Sequence, residues 1–429
     1  MKKKILSLVM ILAMVTTFLS SCDHLFHNYE YLSAAVEATC SQGGIDLYAC
    51  TDCGRVKAVN TPALEHTYGD WIIDKNPTEN ETGLRHLECS VCGYKTKPEI
   101  MEKQEELCYK LGMGTIVDMN NHWGNTVQVD VTVATVVLDD DGRIVLCRID
   151  ASQNKMDVTS GVVDAEKTFM TKREYGDTYG LTYGPDANND GIVLEWYKQA
   201  EAFESYVIGK TVNEVANIKT QISSQTGRIM AADDALLTAG CTIDISGFMS
   251  AVIKACNDDQ GTSFMAAPNT FTLGVAISTT ATNSYSATED SDGAVCMYSD
   301  LACAVIDDDG RILAALVDGI QPKFYIDIYG EITHQSYSAT KRELKDEYMM
   351  ALFGIDPNGD GIVLEWYLQS AAFSNHVTGM TASQVSNMVT SANSIGYQMT
   401  TDPALLNAGC TIEITNVKAV VAKAADNAR

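Results

Sequence analysis

The sequence predicts an α+β protein in which a small cysteine-rich module precedes two tandem copies of an antiparallel-sheet-plus-helices domain. Three observations predict it: residues 101–429 contain an internal duplication, strand and helix patterns alternate within each copy, and five cysteines crowd into residues 23–100. In chain order, the expected segments are a signal peptide at 1–21, the cysteine-rich module at 22–100, the first copy at 101–256, a linker at 257–268 and the second copy at 269–429.

The composition is acidic and partly apolar. The chain has 30 basic and 56 acidic residues, which gives a net charge of −26, and 46% of its residues are hydrophobic. Such a charge opposes binding to a polyanion, so we exclude nucleic acid as a partner. The apolar fraction is sufficient for folded domains with cores.

The N-terminus has the pattern of an export signal. Three lysines, Lys2 to Lys4, precede an uncharged run of 15 residues from Ile5 to Leu19, which is short for a bilayer span but typical of a signal peptide. The following Leu19-Ser20-Ser21-Cys22 resembles the lipobox of bacterial lipoproteins. That resemblance implies a lipid on Cys22 and a location on the extracytoplasmic face of the membrane. The alternative is an ordinary secretory signal cleaved after Ser21.

The cysteine-rich module contains two pairs with metal-binding spacing, Cys50-x2-Cys53 and Cys89-x2-Cys92, each followed by glycine. Two such zinc knuckles can supply the four thiolates of one tetrahedral zinc ion.

A competing ligand set is Cys40, Cys50, Cys53 and His66. The stretch from Cys40 to His66 resembles a zinc-ribbon-like Cys/His repeat of Gram-positive surface proteins, whose second copy here has Glu79 at the position matching Cys40. The alternative to zinc is a disulfide within or between the pairs, because the compartment is extracytoplasmic. In each case the cross-link would stabilise a module too small and polar for a core of its own.

The duplication is visible in several segments. Residues 195–211 match residues 365–381 at nine of 17 positions, and residues 139–144 recur as residues 307–312. Each copy has about 150 residues, which fits one α+β domain.

The first elements of a copy are strands. Alternating apolar residues from Val127 to Val137 predict a half-buried strand, and Asp140-Asp141-Gly142 predicts a hairpin turn into a second strand from Ile144 to Ile149. The aspartate run is a candidate cation site, but a solvated turn is the favoured interpretation.

Helices follow. Trp196, Ala200, Phe203 and Val207 form one apolar stripe of a helix that ends near Gly209. Capping boxes at Thr211-x2-Glu214 and Thr381-x2-Gln384 predict the start of the next helix in each copy. A β segment at 242–245 and a short helix at 248–255 complete the unit.

The tandem copies lack the usual signatures of an autonomous enzyme. Their three histidines, His122, His334 and His376, occupy different repeat positions, and no nucleophile elbow, Walker loop or dinucleotide fingerprint occurs. We therefore expect a redox carrier or binding protein rather than an enzyme with its own turnover.

The order of motifs resembles the FMN-binding domain of bacterial extracytoplasmic electron-transfer proteins, especially lipid-anchored members with two such domains. The motifs in the first copy are the aspartate-glycine hairpin, Asp150-x2-Gln153, Thr171-Lys172-Arg173-Glu174, a Glu-Trp-Tyr-x-Gln helix and a terminal Ala-Gly-Cys-Thr-Ile. The resemblance covers residues 110–256 and 270–427.

In that family a threonine in a Ser-Gly-Ala-Thr segment can be esterified by the flavin phosphate. The resemblance implies the following matching positions: Thr242 and Thr411, the preceding Gly240 and Gly409, and the upstream Asp233 and Asp402. Here alanine replaces the serine, cysteine precedes the threonine, and the aspartate lies farther back. The alternative is that each threonine simply begins a strand.

A flavin ring needs an aromatic or apolar wall, and the candidates are Trp196, Tyr197, Trp366 and Tyr367. The alternative role of each tryptophan is in the helix core.

A second repeated motif resembles the first half of a calcium loop. Its residues are Asp186, Asn188 and Asp190 in the first copy and Asp356, Asn358 and Asp360 in the second. A tyrosine holds the position of the bidentate carboxylate, so the alternative is a polar loop beside the tryptophan helix.

The leading expectation is a lipid-anchored protein whose tandem domains bind FMN and carry electrons, with a flavin transferase and redox proteins as partners. The alternative is a cofactor-free surface lipoprotein whose domains act as binding or structural modules.

Overall fold

The computed structural model describes residues 26–429 except 78–80, 104–105, 121–122, 182–192, 225, 338, 353–362 and 394–395. The chain divides into two compact units, Met1–Gln104 and Glu105–Arg429. The fold is α+β with antiparallel sheets, as the sequence predicts. No helix in the described ranges is long and apolar enough to cross a membrane.

The first unit contains two three-stranded antiparallel sheets. Their strands are β1 (Tyr29–Val36), β2 (Gly44–Cys50) and β3 (Val56–Thr61), then β4 (Ile72–Lys75), β5 (Gly83–His86) and β6 (Glu99–Met101). Apart from Pro77, the buried apolar side chains in the described part of this unit are Cys40, Cys50 and Cys89. Because the unit has so little hydrophobic core, its stability depends on what the cysteines bind or form.

The second unit contains both copies of the duplicated domain. The first copy has strands β7 (Leu107–Asp118), β8 (Thr126–Leu138), β9 (Ile144–Asp157), β10 (Thr220–Ile222), β11 (Ile229–Ala231) and β12 (Thr262–Ala266). Its helices are α1 (Lys172–Tyr175), α2 (Trp196–Val207), α3 (Val212–Ala216), α4 (Asp234–Thr238) and α5 (Ser246–Cys256). The three long strands and the short β12 form an antiparallel sheet in the order β12-β7-β8-β9, and β10 pairs with β11 in a hairpin.

The second copy repeats this plan. Its strands are β13 (Phe271–Thr280), β14 (Gly293–Cys296), β15 (Tyr298–Asp307), β16 (Ile312–Ile320), β17 (Lys323–Ile326), β18 (Ile332–Ser336), β19 (Thr390–Ala392) and β20 (Gln398–Thr400). Its helices are α6 (Lys341–Leu344), α7 (Trp366–His376), α8 (Ala382–Ser386), α9 (Pro403–Asn407) and α10 (Thr415–Asp426). The sheets are β13-β15-β16, β14-β17-β18 and the β19-β20 hairpin.

Several local predictions are confirmed. The hairpin between β8 and β9 turns at Gly142, which has φ +71°, and Asp139 Oδ1 accepts hydrogen bonds from the backbone of Asp141 and Arg143. The apolar stripe of α2 is buried. Both predicted capping boxes are present, with the Thr211 and Thr381 hydroxyls accepting from the backbone of the residue three positions later.

The two copies share a hydrophobic core. Val129 and Val131 of β8 pack in the same apolar cluster as Val275 of β13 and Val305 of β15. The opposite faces of the sheets pack on helices of their own copies, which gives the layer order helix, sheet, sheet, helix. Strand β8 is therefore covered on both faces over much of its length, whereas the sequence predicted a half-buried strand.

Two expectations about segments are wrong. Residues 262–266, predicted as part of a linker, form β12, which pairs with β7 from Thr262 opposite Leu111 to Ala266 opposite Leu107. Residues 242–245 form no strand and contribute one isolated bridge, Met230 to Asp244. The left-handed backbone at Gly240 (φ +87°) turns the chain there instead of extending it.

Candidate functional site

In the second copy, the threonine of the repeated Ala-Gly-Cys-Thr-Ile motif, Thr411, is hydrogen-bonded to a glutamine of α7, the helix that begins at Trp366. Gln369 Oε1 accepts hydrogen bonds from the Thr411 backbone N–H at 2.7 Å and from Thr411 Oγ1 at 3.1 Å. Gln369 Nε2 donates to the Leu364 carbonyl at 2.7 Å, and the Gln369 side chain is fully buried. The two most specific motifs of the duplication, Glu-Trp-Tyr-x-Gln and Ala-Gly-Cys-Thr-Ile, therefore meet in space.

The preceding glycine is required by its conformation. Gly409 has φ +84°, and a Cβ at that position would lie 2.5 Å from Leu364 Cδ1. A side chain cannot be accommodated without moving the leucine. The missing Cβ thus makes room for Leu364 and the turn.

A cavity of about 670 Å³ adjoins Thr411. This volume lies within the range of small-molecule sites, roughly 300–1,000 Å³. Its lining includes Thr411, Lys341, Tyr348, Trp366, Asp300 and Glu413. One wall therefore combines two aromatic rings with an ammonium group and a threonine.

The ammonium group lies over the aromatic wall. Lys341 Nζ is 4.9 Å from the centroid of the Trp366 ring and 5.5 Å from that of Tyr348. The two rings are 6.5 Å apart in an edge-to-face arrangement, and Tyr348 OH donates to Gln321 Oε1 at 3.3 Å. Cation–π contacts and the tyrosine hydrogen bond hold this wall in one geometry.

The first copy has the same arrangement. Lys172 Nζ lies 5.2 Å from the Trp196 ring centroid and 5.3 Å from that of Tyr179, whose OH donates to Gln153 Oε1 at 2.9 Å. The Thr242 backbone N–H donates to Gln199 Oε1 at 2.7 Å, and Thr242 Oγ1 donates to the same oxygen at 3.2 Å. The arrangement is thus a property of the duplicated domain.

The charges around the two lysines differ. Burial lowers the pKa of Lys172 to about 8, with Asp130 opposing the shift and Arg228 adding to it. In the second copy burial raises the pKa of Asp300, while Lys341 acts to lower it. The two lysines therefore have different carboxyl neighbours: Asp130 and the buried Asp150 in the first copy, and Asp300 in the second.

The predicted flavin-binding residues are only partly brought together. Trp366 and Thr411 line the cavity, and Trp196 and Thr242 have the equivalent positions in the first copy. Gly409 and Gly240 instead pack against Leu364 and Leu194. Both tryptophans and both threonines are at least 94% buried. The tryptophans therefore also have the core role considered as their alternative, whereas neither threonine begins a strand.

The two aspartates have a different position. Asp233 and Asp402 are helix N-caps: Asp402 Oδ1 accepts from the backbone of Ala404 at 2.8 Å and Leu405 at 3.3 Å. Each therefore orders the helix that leads to the threonine. Tyr197 donates its OH to Asp177 at 3.1 Å. The tyrosines of the wall, Tyr179 and Tyr348, were missed because each is the last residue of a short 3-10 turn, where no helix or strand period applies.

The cysteine before each threonine is buried and unreactive. Burial raises the pKa of the Cys241 and Cys410 thiols to about 12. These thiols act as small apolar side chains.

The predicted calcium loops and the lipidation site fall outside the described residues. This applies to Asp186, Asn188, Asp190, Asp356, Asn358, Asp360 and Cys22.

The six predicted metal ligands lie in two groups. Cys40, His66, Cys89 and Cys92 form one, and Cys50 and Cys53 join His27 in the other. Within each group all potential ligand atoms lie within 4.8 Å of one another. The structure therefore forms neither of the two single tetrads considered from sequence, because Cys50 and Cys53 are separated from all the other predicted ligands.

The two knuckle turns are built alike. Gly54 and Gly93 both have φ +72°, and each donates its backbone N–H to the first cysteine of its pair at 2.9 Å. Burial acts to raise the pKa of the Cys89 thiol, but backbone hydrogen bonds from Val91 and Cys92 bring it to about 6. The turn at Cys89 therefore favours a thiolate, which is the form that binds metal.

His27 was missed, although a signal was present. His27 precedes Cys53 by 26 residues, and His66 precedes Cys92 by the same number. The equal spacing marks each histidine as the partner of the knuckle that follows it.

Comparison with known proteins gives a partial similarity. The chain is 29% identical over 114 residues to a protein named chlorophenol reductase from Desulfitobacterium hafniense. The match covers 23% of this chain and 33% of that relative, so the chain spans about a third of the relative's length. No protein-family model matches the chain, and no solved structure matches it. The chain thus has a distant relative named for a reductase, and its Cys/His groups have the composition of a metal site.

Proposed function

We propose that the protein is an extracytoplasmic lipoprotein, anchored through Cys22, whose two duplicated domains each bind FMN and carry electrons. The flavin supplies the redox chemistry, and the domains bind and orient it. The cysteine-rich unit binds zinc in this proposal, and the zinc stabilises the fold of that unit.

The observation that carries this proposal is the repeated wall of lysine, tryptophan and tyrosine beside a glutamine-bound threonine. In the second copy this wall borders a cavity of about 670 Å³. A flat ring can stack on Trp366 or Tyr348, and the Lys341 ammonium can pair with an anionic group. The reductase name of the distant relative and the resemblance of the motif order add support from sequence.

In this proposal the protein's own groups have separate roles. Thr411 and Thr242 present the hydroxyl to which the resemblance assigns the flavin phosphate. Gln369 and Gln199 hold those hydroxyls in place by accepting hydrogen bonds from them. Release of the glutamine hydrogen bond is required before either oxygen can form a phosphoester.

The test is expression of the full chain with a bacterial flavin transferase, followed by denaturing electrophoresis under blue light and intact-mass measurement. We expect a fluorescent band and a mass increase of two FMN phosphoesters. Thr242→Ala combined with Thr411→Ala should abolish both signals.

The matched control is Thr381→Ala, which removes a threonine that caps α8 and should leave fluorescence unchanged. Flavin that co-purifies under native conditions but is lost on denaturation would mean non-covalent binding. A colourless native protein would contradict FMN binding and favour the cofactor-free surface lipoprotein.

The anchor has its own test. Cys22→Ala should move the protein from the membrane fraction to the soluble extracytoplasmic fraction and remove the lipid mass. An unchanged distribution would contradict lipidation at Cys22.

A further inference from the structure

The distances within the two Cys/His groups match the edges of a metal tetrahedron. Cys40 Sγ and Cys89 Sγ are 3.8 Å apart, Cys92 Sγ is 3.3 Å from His66 Nδ1, and Cys53 Sγ is 3.5 Å from His27 Nδ1. Around a zinc ion with Zn–S of about 2.3 Å and Zn–N of about 2.0 Å, tetrahedral angles put ligand atoms about 3.5–3.8 Å apart. A disulfide would require about 2.05 Å between sulfurs.

The ligand types narrow the choice of metal. Both groups consist of thiols and imidazoles without a carboxylate. Soft thiolate with imidazole favours zinc and disfavours magnesium and calcium, which prefer oxygen ligands.

We propose that the cysteine-rich unit binds two zinc ions in sites of unequal coordination. One is a closed tetrad of Cys40, His66, Cys89 and Cys92. The other is a triad of His27, Cys50 and Cys53, to which no fourth cysteine, histidine or carboxylate of the described residues is joined. The fourth position of the triad accepts water or an exchangeable ligand.

The unequal coordination comes from one cysteine that crosses between the repeats. Each repeat supplies its own histidine and knuckle at the same 26-residue spacing. Cys40 belongs in sequence to the first repeat, yet it lies beside Cys89, 49 residues later. Cys40 therefore completes the tetrad as its fourth ligand and leaves the other group with three ligands. The tetrad also connects Cys40 of the first repeat to the knuckle of the second repeat.

Different rates of metal loss follow. A closed four-ligand site holds zinc as a structural element, whereas a three-ligand site exposes the ion to competing ligands. The difference rests on ligand number and not on burial, because each group combines buried and more exposed cysteines: Cys92 of the tetrad is exposed and Cys50 of the triad is buried. The triad ion should leave first when a chelator is added.

The experiment measures zinc per chain and its release to a chromophoric chelator, using the full chain purified without chelator. We expect two zinc ions per chain and two release phases of equal amplitude. Cys53→Ser should lose only the fast phase. Cys40→Ser should keep the fast phase of the triad and weaken zinc binding at the tetrad at least tenfold. Cys108→Ser, a half-buried cysteine outside both groups, is the control and should retain both ions.

Comparing the Cys40→Ser variant with the Cys53→Ser variant distinguishes two zinc sites from one. If both variants lose the same ion, or wild type binds a single zinc ion, the proposal is wrong. Thiols that react with an alkylating agent only after reduction would indicate disulfides and would also contradict it. Titration with cobalt distinguishes loss of one site from unfolding of the variant. Thiolate-to-cobalt absorption that persists from the site without the substitution supports two sites. Loss of that absorption in both variants contradicts two sites.

Discussion

At the scale of single residues, the hydrogen bonds of Gln199 and Gln369 to their threonines recur in both copies of the second unit. Each glutamine is fully buried and accepts two hydrogen bonds from one threonine. The threonine was identifiable from sequence because it belongs to a repeated motif. Its contact with the glutamine could not be predicted, because no sequence pattern shows which backbone group the side chain of a helical glutamine will bind.

Replacing Gln369 with leucine should lower the free energy of unfolding by about 1–3 kcal/mol, because the Thr411 N–H and hydroxyl lose their acceptor inside the protein. Chemical denaturation measures the change. Gln335→Leu on the exposed β18 strand is the control and should stay within about 0.5 kcal/mol of wild type. Equal effects of the two substitutions would contradict the structural role of Gln369.

Buried aspartates make stability depend on pH. Burial raises the pKa of Asp150 to about 6, against hydrogen bonds from Thr171 and the backbone that act to lower it, and burial also raises the pKa of Asp318 at the equivalent position. Between about pH 4 and 6 the folded protein therefore binds more protons here than the unfolded chain does, so this contribution to stability falls as pH rises. For Asp150 the free energy of unfolding falls by on the order of 3 kcal/mol across this range.

Asp150→Asn removes this titration. The melting temperature of the variant relative to wild type should rise as pH is raised from 4 to 6.5, and thermal denaturation across that range measures it. A constant difference would show that Asp150 does not titrate there.

At the scale of elements, close packing of helix on strand requires glycine. A Cβ on Gly112 of β7 would lie 2.1 Å from the Ala255 carbonyl of α5, and one on Gly274 of β13 would lie 1.9 Å from the Ala424 carbonyl of α10. Both contacts are with helix backbone, which cannot move as a side-chain tip can. Each helix therefore lies directly against its strand.

Gly112→Ala should lower the free energy of unfolding by about 1–3 kcal/mol through this overlap. The matched control is Gly247→Ala within α5, where the nearest atom would be 3.7 Å away. That substitution should stabilise the protein by up to about 1 kcal/mol, because alanine is the better helix former. Similar effects of the two substitutions in denaturation experiments would contradict the packing.

Elements defined by local patterns were predicted well. The apolar stripe and the capping boxes predict α2, α3 and α8 because helix period and cap chemistry act over a few residues. Strand β12 was not predicted, because it has five residues and is stabilised by pairing with β7, about 150 residues earlier in the chain.

At the scale of the whole molecule, the two copies contact each other reciprocally. Lys254 of the first copy pairs with Glu343 of the second, and Lys423 of the second copy pairs with Glu174 of the first at 2.7 Å. Together with the shared core, these pairs make the copies halves of one unit. Sequence showed the duplication but not this pairing, because the apolar face of a sheet does not indicate what covers it.

A separated copy should therefore be unstable. Residues 105–268 alone would expose the shared-core side chains of β7 and β8, and we expect aggregation or self-association in size-exclusion chromatography. Co-expression with residues 269–429 should restore a soluble one-to-one complex. A stable monomer of either half would contradict the shared core.

The central claim is that each duplicated domain binds one FMN. The most direct measurement is the flavin content of the full chain, purified under native conditions after expression with a flavin transferase, from flavin absorbance and protein concentration. The account predicts two FMN per chain, falling to one in a variant with Trp366→Ala and Lys341→Ala at the second cavity. A purified protein without flavin absorbance would contradict it.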